Sequence, residues 1–130
     1  MADPSFALQV ALVDRLEAGL EPLGCRVYDG APLNAPMPYV SIDSEISNEA
    51  DFLNSRMDER FLYLSVWSDF KGQQQVKELM AVIDDVLTRQ PITLTTGHVV
   101  GLQVRRKQSN REPDGETYQG AVTLRIITQH

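Results

Sequence analysis

RFLYLSVWS, residues Arg60–Ser68, is the stretch on which the fold turns. Nine residues of aromatic and aliphatic character, with no glycine or proline until Gly72, predict a strand. Alternation puts Leu62, Leu64 and Val66 on one face and Phe61, Tyr63 and Trp67 on the other. Both faces are therefore apolar, and each needs cover. The rest of the chain has to supply it.

Two amphipathic helices flank this strand at a distance. The C-terminal one is expected over Gly72–Arg89, with Val76, Leu79, Met80, Ile83, Val86 and Leu87 on one side and Pro91 closing it. The N-terminal one opens at Asp3-Pro4, carries a stripe of Phe6, Val10, Val13, Leu16 and Leu20, and stops at Pro22 and Gly24. Further strands are expected in CRVYDG (25–30), breaking at the turn-forming Asp29-Gly30, and at Tyr39–Asp43, where Val40 and Ile42 share one side. Between these two, Pro32, Pro36 and Pro38 bias the chain toward an extended crossing.

The last third reads as a hairpin. His98–Lys107 places Val100, Leu102 and Val104 on one face, and Tyr118–Thr128 places Val122, Leu124 and Ile126 on one face against Thr123 and Arg125. Glu112-Pro113-Asp114-Gly115 has proline and glycine where a type I turn places them, and a short strand at Ile92–Thr95 would precede the hairpin. Residues Ser44–Glu59 keep no period, so they are expected to form a long mobile loop within a single domain spanning residues 1–130. The fold class is α+β: a mostly antiparallel sheet of about four to five strands with two helices packed on one face. Both helices are needed there. The Phe61, Tyr63 and Trp67 face is then either core under a third layer or a subunit interface.

Composition removes several function classes. The 130 residues carry 12 Lys and Arg against 18 Asp and Glu, a net charge of −6 that opposes dedicated binding of nucleic acid. No apolar run reaches the roughly 18 residues of a membrane span, and Asp3 stands where a signal peptide would be positive, so no membrane association is expected. One cysteine and two histidines make no zinc-like ligand set, and no metal or cofactor is expected.

Catalytic patterns are equally thin. Cys25 with His98 would be a nucleophile and base, but a cysteine in an apolar setting is far more often an inert core thiol. Asp84-Asp85 and Asp58-Glu59 are adjacent carboxylates that point apart, and phosphate-loop, dinucleotide and nucleophile-elbow motifs are missing from the sequence. The basic run Arg105-Arg106-Lys107 with Arg111 is split between two faces by alternation. No enzyme is expected.

Three blocks, in order, carry a resemblance: RVYDGAPLNAPMPYVSI (26–42), FLYLSVWSDFKGQQQVKELMAVIDDVL (61–87) and REPDGETYQGAVTLRI (111–126). Together they resemble a family of small tail completion, or tail terminator, proteins of tailed phages, prophages and gene transfer agents. The resemblance implies a non-enzymatic virion protein that forms a ring, commonly of six copies, which caps the tail tube, stops its polymerisation and docks the head connector or stopper protein. DNA would pass through the ring without specific binding. Assembly would take place in the bacterial cytoplasm, with the final position at the head–tail junction of the virion or particle. A tail tube or connector subunit is the alternative, and a small cellular enzyme or regulator a further one. Within that role, Phe61, Tyr63 and Trp67 are expected at the subunit interface. Phe52, Leu53 and Met57 are expected to contact the tail tube or a neighbour, and Arg111, Asp114 and Gly115 to form a docking hairpin.

Overall fold

The computed structural model describes residues 3–51 and 56–130. Helix α1, Ser5–Leu20, begins where the Asp3 carboxylate accepts a hydrogen bond from the Ser5 N–H at 3.0 Å. It ends in a 3₁₀ turn, Glu21–Leu23, and at Gly24, whose φ of 68° is the left-handed conformation a helix stop requires. Strands β1 (Arg26–Tyr28), β2 (Tyr39–Glu49) and β3 (Met57–Ser68) follow, then helix α2 (Gln74–Thr88) and the hairpin β4 (His98–Arg111) and β5 (Tyr118–Gln129). The sheet order is β1-β2-β3-β5-β4, antiparallel except for the parallel β1–β2 pair.

Both helices lie on one face of this sheet, as expected. Leu62, Leu64 and Val66 of β3 and Val122, Leu124 and Ile126 of β5 are buried beneath them with Val40 and Ile42 of β2. Arg15 of α1 locks the helices together by donating to the carbonyl of Val86 in the last turn of α2 and to those of Gln90 and Pro91 just past it. The carbonyls there have no partner within their helix, and a cation suits that end of the helix dipole.

Four expectations are corrected. The buried stripe of α1 is Leu8, Leu12, Leu16 and Leu20, not one that includes Phe6 and Val10, which are 74% and 43% exposed. The first half of the helix carries apolar residues on both sides, so spacing alone did not choose the side that meets the sheet. In β4 the register slips at Val100, which leaves Val99, Leu102 and Val104 against the core and turns Val100 outward. Residues 91–97 form no strand, although Ile92 joins the core. The proline segment is not a simple extended crossing: Ala35 N–H bonds the Pro32 carbonyl at 3.1 Å and Asn34 has φ of 60°.

The expected long loop at 44–59 is also corrected. Most of it is strand, with β2 running to Glu49 and β3 starting at Met57. A bulge at Asp43 shifts the phase, so Glu45, Ser47 and Glu49 stand opposite Leu62, Arg60 and Asp58 on the helix side of the sheet. These polar residues break the hydrophobic alternation while the backbone ladder continues. Their inward position has a reason: Arg60 is fully buried, and its guanidinium donates to Glu45 at 3.4 Å, Ser47 at 3.0 Å, Asp58 at 3.2 Å, the Thr128 hydroxyl at 2.9 Å and Asp3 at 2.5 Å.

Candidate functional site

Among the described residues, no element covers the face of the sheet away from the helices. Cross-strand registers place Tyr39 opposite Trp67, Ser41 opposite Ser65, Ser44 opposite Tyr63 and Ile46 opposite Phe61. Directly opposed residues of an antiparallel pair share a face, so Phe61, Tyr63 and Trp67 form one surface with Tyr39 and Ile46. The three expected interface residues are partly exposed and stand apart from the hydrophobic core, and Ile46 is 52% exposed. The sequence leaves this face as core under a third layer or as a subunit interface, and among the described residues no third layer covers it. Tyr28 extends it, with its ring edge-on to Tyr39 at 5.7 Å between centroids.

A polar network runs through the middle of this face. Asp43, the bulge residue, accepts from Ser41 at 3.0 Å and from Ser65 at 2.5 Å. Ser41 in turn accepts from the Trp67 indole N–H at 3.4 Å, and Ser65 from Gln119 at 2.9 Å. Separately on the same face, Arg125 donates to Glu59 at 2.7 Å. The network ties the Trp67 ring before any partner arrives, which lowers the side-chain ordering cost of forming a contact. Ser41, Asp43, Ser65 and Gln119 were not singled out from sequence. The available signal was that Ser41 and Asp43 alternate onto the side of Tyr39.

The other expected site residues fall elsewhere. Phe52 and Leu53 lie outside the described residues, while Met57 opens β3 at the end of the sheet and its carbonyl accepts from Ala50 N–H at 2.9 Å. In the hairpin tip, Asp114 accepts from the Glu116 and Thr117 N–H groups and from the Thr117 hydroxyl. The Thr117 hydroxyl and these N–H groups, with Arg111 nearby, hold its carboxyl below the usual carboxylate range. Arg111 reaches back to the Gly115 carbonyl at 3.1 Å, and Gly115 takes φ of 75°. All three therefore build the hairpin tip.

Cys25 and His98 do not meet. Cys25 immediately precedes β1 and His98 opens β4, at opposite edges of the five strands. Burial pushes the Cys25 thiol up to about 11. At pH 8 a thiol reagent should modify native Cys25 roughly a hundredfold more slowly than the denatured chain, since the thiolate is the reacting form. Equal rates in the two states would contradict this placement.

The family model described as tail completion protein gp17 matches residues 10–129. A chain in the virion of a native gene transfer agent particle has the same fold, with a TM-score of 0.86 at 24% identity over 100% of both chains. The gp17 protein of bacteriophage SPP1 aligns with a TM-score of 0.62 at 21% identity, covering 94% of this chain and 88% of that one. None of the curated proteins compared with it matches.

Proposed function

The chain belongs to the tail completion protein gp17 family, and from that premise we propose that it acts as a ring of identical copies, six by the family resemblance, that caps the tail tube and docks the head connector. The role is structural, at the head–tail junction of a virion or gene transfer agent particle, and not catalytic. The observation that carries this reading is the open aromatic face of the sheet, set by the polar network around Asp43 while both helices occupy the other side. An isolated chain seldom leaves such a surface uncovered. Phe61, Tyr63 and Trp67 are the proposed subunit contacts.

The tail tube contact is assigned to the segment that includes Phe52, Leu53 and Met57, and the second docking element to the hairpin tip with Arg111, Asp114 and Gly115. Charge supports passage of DNA without capture: six copies at −6 each carry −36, and acidic surface repels phosphates. Particles assembled without this protein provide the test. Electron microscopy is expected to show overlong tails or heads without tails, and normal particles would refute the proposal.

A further inference from the structure

Among the described residues, two exposed apolar surfaces face opposite ways. One is the open sheet face with Ile46, Phe61, Tyr63 and Trp67. The other is the outward side of α1, where Phe6 and Val10 stand one turn apart beside a shallow groove lined by Ala7, Ala11, Thr95 and Thr96. The sheet and its core separate the two. Resting on the ring reading above, we infer that the Phe6–Val10 side of α1 in one copy docks on the aromatic sheet face of the next copy, so that unlike patches join in one rotational sense around the ring.

Charge and spacing both fit this pairing. Beyond Val10, the exposed side of α1 continues with Asp14 and Glu17, followed by Glu21 in the 3₁₀ turn, and among the described residues none of the three has an ion-pair partner. On the open sheet face the acidic groups are already engaged, Asp43 by two serines and Glu59 by Arg125. Arg106 is exposed there, bonded only to Gln108 and without an ion pair among the described residues. It lies in one cross-strand row with Thr123, Tyr63 and Ser44.

Two strand spacings separate Arg106 from Tyr63, about 10 Å. Seven helical residues separate Val10 from Glu17, also about 10 Å. A helix laid across the strands with Val10 on Tyr63 therefore brings Glu17 to Arg106. Joining by sheet edges is disfavoured on the same molecule. At one edge β1 covers only Tyr39–Ser41, and the rest of β2, which has no further strand beside it among the described residues, carries the bulge at Asp43 with Glu45 and Glu49; at the other, β4 is interrupted by bulges at Val100 and Arg105 and carries Arg105-Arg106-Lys107. Short, bulged and charged strands are what keep edges from pairing.

Cysteine crosslinking of the purified full chain tests this. Native Cys25 is buried and can remain in place. A Val10→Cys, Tyr63→Cys double variant, oxidised at high protein concentration, is expected to give a reducible ladder of multimers, whereas each single variant stops at dimers. Arg106→Glu should weaken self-association roughly tenfold, and adding Glu17→Arg should restore it. A ladder from an edge pair, Ile46→Cys with Gln103→Cys, and none from Val10 with Tyr63, would overturn this docking and leave the ring standing. No ladder from either pair would remove the ring reading as well.

Discussion

Arg60→Ala is expected to cost about 3–5 kcal/mol of folding free energy, the range for removing one partner from a buried charge cluster. Thermal denaturation should show a fall of roughly 10 °C or more in Tm for a chain of this size. The guanidinium is 0% exposed and touches five side chains: Asp3 before α1, Glu45 and Ser47 on β2, Asp58 on its own strand and Thr128 on β5. His130 adds its ring 3.6 Å from Asp58. Without the cation, Asp58 remains largely shielded from water with no counter-charge, which is the larger part of the loss. Arg60→Met restores volume and no charge, so it should recover only part of the deficit. A loss below about 1 kcal/mol for Arg60→Ala would show that water reaches these carboxylates and that the cluster is not a structural clasp.

The same cluster sets an acid limit. Burial works to raise the Asp3 carboxyl, but the Arg60 hydrogen bond and charge, the Ser5 N–H and His130 together hold it below its ordinary 3.8. A lowered folded value means that Asp3 contributes stability above the ordinary carboxylate range, and that this contribution fades as pH falls through the depressed value. In Arg60→Met, whose clasp is already open, the stability lost in that acid window should shrink. An unchanged acid limb would place the titrating group elsewhere.

Gly120→Val is expected to cost about 2–3 kcal/mol by overpacking. Gly120 lies on β5 under α2, and a Cβ built there would come 2.6 Å from Val76 Cγ1 and 2.9 Å from Met80 Sδ. Met80 can swing its flexible end away, but Val76 is branched on a helix and holds one rotamer. The helix must therefore lift off the sheet, and the loss spreads to Leu79 and Ile83 beside it. Combining Gly120→Ala with Val76→Ala should recover most of the cost of Gly120→Ala alone, because the pair shares one contact. Strictly additive losses measured by urea unfolding would show that the collision does not govern this position. The glycine in the Tyr118-Gln119-Gly120 motif is thus explained by the closeness of α2.

Much of this protein was legible in order along the chain. The RFLYLSVWS strand, the α2 stripe, the β5 alternation and the Gly24 and Gly115 stops are local matters, each decided by a period of two or 3.6 residues or by a backbone that needs positive φ. The α+β class and the placement of both helices on one face follow from counting apolar faces. The sequence also shows that Phe61, Tyr63 and Trp67 form a second apolar face.

Three things had to wait for the tertiary structure. Which side of α1 is buried was undecided because its first half carries apolar residues on both sides, and only the sheet beneath it selects Leu8, Leu12, Leu16 and Leu20 over Phe6 and Val10. The bulges at Asp43, Val100 and Arg105 change which face each later residue meets, and alternation read along one strand assumes that no such step occurs. Glu45, Ser47 and Asp58 looked like loop polarity until Arg60 supplied the partner they face. A periodic pattern records the surroundings a residue shares with its neighbours in sequence, whereas burial of a charge depends on groups brought from Asp3, Thr128 and His130. That closure exists only once the sheet has formed.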